Sequence, residues 1–204
     1  MNIKNIFEKS ADFTIKRIIE IFGIILILFA ILLFLSFASY SPEDPNFIFN
    51  SEKEIENILG FRGSYTSDIF FQSFGVISYL IPITLIFTGI YIFRSKKIFI
   101  LLRNLFYTIL YIVLGSFFFS FFYKETFWLT INGNGGFVGN YLNNSFLYNF
   151  VKINQFAAYY FLIMITLSIF LVSINFKLKL LPELISNLLI VFKKNKKRII
   201  NKNI

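Results

Sequence analysis

The chain's 204 residues are 56% hydrophobic and 21% aromatic, with 30 Phe, a mean hydropathy of +0.69 and only 15% charged side chains. Soluble domains are about 45–50% apolar and about 25% charged, so this composition belongs to the membrane class. With no Cys and no His, disulfides, thiol chemistry, Cys/His zinc sites and imidazole acid–base catalysis are excluded.

Residues 1–20 hold Lys4, Lys9, Lys16 and Arg17, and Ile3, Ile6, Phe7, Phe13 and Ile18 recur at near-helical spacing. This predicts a cytoplasmic amphipathic segment. Four stretches without charge follow: Ile21–Pro42, Ile69–Phe93, Asn104–Tyr123 and Ile153–Phe176, of 22, 25, 20 and 24 residues. About 20 apolar residues cross a ~30 Å hydrocarbon core. The prediction is an all-α integral membrane protein, a four-transmembrane-helix bundle in residues 21–176 with spans near 22–40, 70–93, 105–122 and 156–175. Ser36-Phe37-Ala38 offers a small-x-small pattern for signal peptidase. The apolar run Ile21–Leu35 is long for a signal peptide, and Glu8, Asp12 and Glu20 precede it, so a retained anchor is expected.

The first loop contains Ser41-Pro42-Glu43-Asp44-Pro45-Asn46, a turn with a solvated face. Ser51-Glu52-Lys53-Glu54 fits a capping box, predicting a short helix over Glu52–Leu59 that stops at Gly60. Glu43, Asp44, Glu52, Glu54, Glu56 and Asp68 outnumber Lys53 and Arg62, so this loop is anionic. Pro82 is expected to kink the second span. Gly75, Gly89 and Gly115 permit close helix approach. In the third loop, Asn132-Gly133-Asn134-Gly135-Gly136 reads as a flexible turn. Phe137–Val151 reads as a short helix on the outer leaflet.

The tail, residues 177–204, carries Leu181, Leu184, Ile185, Leu188, Leu189 and Phe192 as an amphipathic stripe. It then enters Lys193, Lys194, Lys196, Lys197 and Arg198. Such a cluster suits an anionic inner leaflet, or simply fixes topology. Counted by segment, Lys and Arg number four, two, four, two and eight from the N-terminus to the tail. The positive-inside rule then puts both termini and the second loop in the cytoplasm.

Catalytic patterns are weak. Gly133, Gly135, Gly136 and Gly139 lack the Lys-Ser/Thr of a phosphate loop, and no P-loop motif occurs anywhere. The spans hold no ionisable acid or base of the kind that marks ion pathways. Their Ser and Thr residues are expected to bond a neighbouring helix or their own i−4 carbonyl. No catalytic, cofactor or metal residues are expected. A transporter or channel subunit of unknown solute stays open, and a membrane enzyme using the loop carboxylates is a weaker third reading.

The run Leu35-Ser36-Phe37-Ala38-Ser39-Tyr40-Ser41-Pro42-Glu43-Asp44-Pro45-Asn46-Phe47 resembles the exit of the first span in FtsK/SpoIIIE-type DNA translocases. Asn57-x-x-Gly60-x-x-Gly63-Ser64-x-x-x-Asp68 is similar to that family's Asn-x-x-Gly-x-x-Gly-Ala-x-x-Ala-Asp. Phe74-Gly75-Val76-x-x-Tyr79-Leu80-x-Pro82 and Gly135-Gly136-x-Val138-Gly139 are similar to its later motifs. The resemblance implies a four-helix membrane anchor at the bacterial division septum, acting as a scaffold in cell division and chromosome segregation. It implies contacts with other division proteins and a homo-oligomer, with a hexameric motor joined through a long linker. This sequence runs to Ile204 without linker, Walker motifs or winged helix. The expectation is therefore a detached anchor or a piece of a longer translocase, with no ATP hydrolysis and no direct nucleic acid binding in this chain.

Overall fold

A computed structural model describes residues 3–45, 54–123, 129 and 131–176. The described residues form helices and no strand: α1 (Ile3–Ala38), α2 (Gly60–Phe74), a 3-10 segment (Gly75–Tyr79), α3 (Leu80–Ser95), α4 (Phe99–Phe122), α5 (Gly136–Asn143), α6 (Phe146–Ile153) and α7 (Gln155–Ser173). Four stretches are long and apolar enough to cross a bilayer: Glu8–Ala38, Gly60–Ser95, Phe99–Phe122 and Gln155–Ser173.

The distribution of side chains fits lipid better than water. Ile21, Ile25, Leu28 and Leu32 of α1 are exposed, as are Phe99, Leu102, Phe106 and Ile109 of α4. Ser36, Ser64, Ser67, Ser78, Thr84, Thr88, Asn104 and Ser116 are buried. In a membrane the hydrocarbon already solvates apolar groups, so helices meet through small and polar residues instead.

Two buried hydrogen-bond clusters cross the bundle. Thr84 Oγ1 on α3 bonds the Tyr111 hydroxyl of α4 at 3.0 Å and the Ser173 hydroxyl of α7 at 3.3 Å. Asn104 Nδ2 on α4 donates to Thr88 Oγ1 on α3 at 2.8 Å. Thr108 and Ser168 instead satisfy their hydroxyls within their own helices, on the carbonyls of Asn104 and Met164.

α1 packs mainly on α3, and α4 mainly on α7. The first pair meets backbone to backbone. A Cβ on Gly89 would lie 2.6 Å from Ile27 Cγ1 and 2.8 Å from the Gly23 carbonyl oxygen. We expect Gly89→Leu to cost about 1–3 kcal/mol by overpacking. The lipid-facing Phe87→Leu should change stability by under about 0.5 kcal/mol. SDS titration followed by circular dichroism separates the two; equal shifts would exclude a close crossing at Gly89.

Several sequence expectations need correction. α1 runs unbroken from Ile3, because neither Pro nor Gly interrupts it before Gly23. Gly60 starts α2 instead of stopping a helix; Glu54–Glu56 are irregular and 57–59 form a turn. The second crossing breaks at Gly75–Tyr79, while buried Pro82 sits in the first turn of α3. There its missing N–H costs little, since the first four N–H groups of a helix lack intrahelical partners. Phe137–Val151 is two helices, parted at Asn144 and Ser145. Ser145 Oγ caps α6 by accepting from Leu147 N–H. Asn154 Oδ1 caps α7 in the same way, from Ala157 N–H. Ser51–Lys53 of the capping box, the tail stripe and the cluster Lys193–Arg198 lie outside the described residues.

Candidate functional site

The first and third loops meet at one end of the bundle, where α1 and α4 finish. Asp44 organises the first. It is 2% exposed, so the expected solvated face is wrong for this residue. Its two carboxylate oxygens accept the backbone N–H groups of Glu56 at 2.8 Å and Asn57 at 3.0 Å. A carboxylate in a turn has short reach and strong acceptors, and here it draws the returning chain back onto α1. Ser41 supports the turn, its carbonyl accepting from Asp44 N–H at 3.3 Å. Pro42 lies exposed within it.

Asn57 closes the knot. Its Nδ2 donates to the carbonyls of Ser36 at 2.9 Å and Ser39 at 3.1 Å. Tyr79 hydroxyl donates to the Phe37 carbonyl at 3.2 Å. The carbonyls orphaned at the end of α1 therefore find partners from elsewhere in the chain. These bonds also explain why no helix forms at Glu54–Leu59: the backbone groups there are committed to side chains. Ser36 Oγ donates to the Gly63 carbonyl at 2.7 Å, and Ser64 Oγ donates to the Pro45 carbonyl at 2.8 Å. Gly63 has no room for a side chain, because a Cβ would stand 2.0 Å from Asn57 Oδ1. Gly60, at φ 63°, makes the turn into α2.

The sequence groups Asp68 with the anionic surface of the first loop. It is instead 2% exposed within α2. Tyr40 hydroxyl and Gln72 Nε2 both donate to its Oδ1 at 3.3 Å. Burial, and then the charge of Asp68, hold the Tyr40 phenol well above its ordinary range, so it remains a donor. Gln72 continues to the third loop, where Asn132 Nδ2 donates to its backbone and side-chain oxygens at 3.2 Å.

The third loop is therefore no flexible turn. Asn134 carbonyl accepts Val76 N–H at 2.9 Å, and Asn140 Nδ2 donates to the Asn132 carbonyl at 2.7 Å. Ser116 Oγ donates to the Phe74 carbonyl, and Ser120 Oγ to Asn140 Oδ1. Gly75, Gly135, Gly136 and Gly139 are packed against these backbones. On Gly139 a Cβ would lie 2.2 Å from the Ser116 carbonyl oxygen, and on Gly135 2.5 Å from the same atom.

The motif residues Ser41–Pro45 and Asn57–Asp68 thus form one knot and Phe74–Gly75 with Gly135–Gly139 a second, joined through Tyr40, Asp68, Gln72 and Asn132. Pro82 lies apart from both. Ser36, Ser116 and Ser120 bond other elements, as expected of hydroxyls in the spans, whereas sequence reasoning missed Asn57 and Asn140 as determinants, and Gly23 at the helix crossing. Asn57 stood inside a quoted motif, but nothing local shows that it reaches back to α1.

Chemically the site is a support. The buried carboxylates are occupied by donors, and among the described residues no group of three His, Cys, Asp or Glu could hold a metal. The platform exposes four large apolar or aromatic side chains: Ile58 (71% exposed), Phe61, Phe137 and Tyr141. Glu43, Glu54 and Glu56 are exposed beside it.

A family model described as the 4TM region of DNA translocase FtsK/SpoIIIE matches residues 15–183. No solved structure matches the chain.

Proposed function

The chain belongs to the family of the 4TM region of FtsK/SpoIIIE DNA translocases, a multi-pass membrane-anchor domain distinct from the ATPase motor, and from that premise we propose that it is a septal scaffold of the bacterial inner membrane. In this reading it serves cell division and chromosome segregation. Both termini lie in the cytoplasm, and the knotted loop platform faces outward. The observation that carries the reading is the match over 15–183, which takes in all but the first seven residues of the four candidate membrane helices, and both knots.

The platform holds Ile58, Phe61, Phe137 and Tyr141 in fixed positions. Preorganised apolar and aromatic groups lose little entropy on binding, which suits contact with other division membrane proteins. Lateral helix contacts would join copies of this chain. A fluorescent fusion tests the role: a midcell band in dividing cells supports it, and uniform membrane signal overturns it. Cysteine-accessibility mapping tests the topology, with Glu54 and Lys193 expected on opposite faces. Solute flux from the purified chain in liposomes would favour the transporter reading instead.

A further inference from the structure

We propose that the end of the bundle opposite the knots holds an anionic glycerophospholipid, with its phosphate between Lys97 and Arg103 and an acyl chain along α4. A cavity of about 420 Å³ lies there, lined by Ile19 of α1, Lys96, Lys97 and Phe99 at the turn between α3 and α4, and Arg103 of α4. Three cations thus line one small, otherwise apolar space. Lys96 Nζ pairs with Glu20 Oε1 at 2.9 Å, and Glu20 also pairs with Arg17. That pairing ties α1 to the turn and holds the cavity wall in place.

Lys97 and Arg103 are both exposed. The Arg103 guanidinium contacts Asn104 Oδ1 at 3.3 and 3.4 Å, and Asn104 is itself buried and bonded to Thr88. The base of Arg103 is therefore seated on the bundle. α4 begins at Phe99 with no side-chain cap, so its first N–H groups add positive potential at the same place. The site suits a phosphate anion.

The apolar surroundings select a lipid over free phosphate. Phe99, Leu102, Phe106, Ile109 and Val113 are all exposed. They follow i, i+3, i+7, i+10 and i+14, one face of a helix. At about 1.5 Å per residue the stripe runs roughly 21 Å from the cavity, beyond the ~15 Å depth of one leaflet's hydrocarbon. A headgroup held in the cavity would lay its chain along this face.

The test is native mass spectrometry of the full purified chain in neutral detergent, titrated with phosphatidylglycerol or phosphatidylcholine. Phosphatidylglycerol should bind at least tenfold more tightly. Each cation contributes roughly fivefold to anionic-lipid attraction, so K97Q/R103Q should lose about 30-fold. K97R/R103K should keep the binding, and the charge-matched tail variant K193Q/K194Q should leave it unchanged. Circular dichroism checks that the Gln variant folds; if it does not, the wild-type ratio of the two lipids decides. Equal binding of both lipids, or an unaffected folded K97Q/R103Q, overturns the proposal. Displacement by millimolar inorganic phosphate would mark a free-phosphate site and also overturn it.

Discussion

Gly75→Ala should destabilise the protein by about 3–5 kcal/mol, whereas Gly60→Ala should cost only about 1–2 kcal/mol. Both glycines have positive φ, at 73° and 63°. Their surroundings differ. A Cβ on Gly60 meets nothing within 4 Å, so its cost is the conformational one alone. Gly75 has ψ −152°, a region reserved essentially for glycine and worth about 1–3 kcal/mol of strain for other residues. Its Cβ would also stand 1.9 Å from the Asn134 carbonyl oxygen. That atom is backbone, and it is held in place by Val76 N–H at 2.9 Å. Gly136 presses from the other side, with its own added Cβ 2.5 Å from Gly75 N. Moving either strand of this contact shifts the break between α2 and α3, and with it the third loop. SDS titration of the two variants measures the difference. Similar midpoints would show that the loop does not clasp Gly75.

The spans were legible because lipid imposes a coarse rule: twenty residues without charge, with Lys and Arg beyond the ends. α7 illustrates it, since Gln155–Ser173 lies within the expected 156–175 except for its first residue. The knots were only half legible. Pro42, Asp44, Gly60, Gly63 and Gly75 announce turns and close approaches through their own backbone preferences. Their partners are set by three-dimensional proximity. Asn57 reaches residues 18 and 21 positions earlier, and Gln72 is bonded from a residue 60 positions later. Local signals then misled where tertiary bonds won. Ser51 with Glu54 suggested a helix start, but the Asp44 carboxylate takes the N–H groups of Glu56 and Asn57. Pro82 suggested a kink, yet Gly75 seven residues earlier already breaks the helix and leaves Pro82 a tolerated first-turn position. The two knots explain why short motifs far apart in the chain belong together: each supplies one side of a contact too tight for a side chain.

Asn57→Asp should prove worse than Asn57→Ala, although it is nearly isosteric. Truncation to Ala leaves the Ser36 and Ser39 carbonyls and the Leu59 N–H without their side-chain partner, costing about 2–4 kcal/mol. Aspartate keeps the bond from Leu59 N–H. It turns its other oxygen on two carbonyl oxygens at about the distance where Nδ2 now donates, in a site 3% exposed. An ionised carboxylate there is both desolvated and repelled, adding several kcal/mol to the loss. Protonation relieves part of it, because the neutral acid can donate to one of the carbonyls. The folded-state pKa of the introduced acid is therefore raised above its unfolded value of about 4. The folded form then binds the proton more tightly, so the added penalty is absent below pH 4. It grows as pH rises and is complete above the raised folded value. Asn57→Ala carries no such group and should show no matching slope. Stability measured from pH 4 to 8 separates the alternatives. A flat profile for Asn57→Asp, or a smaller loss than Asn57→Ala at pH 8, would mean that Asn57 does not donate to the end of α1.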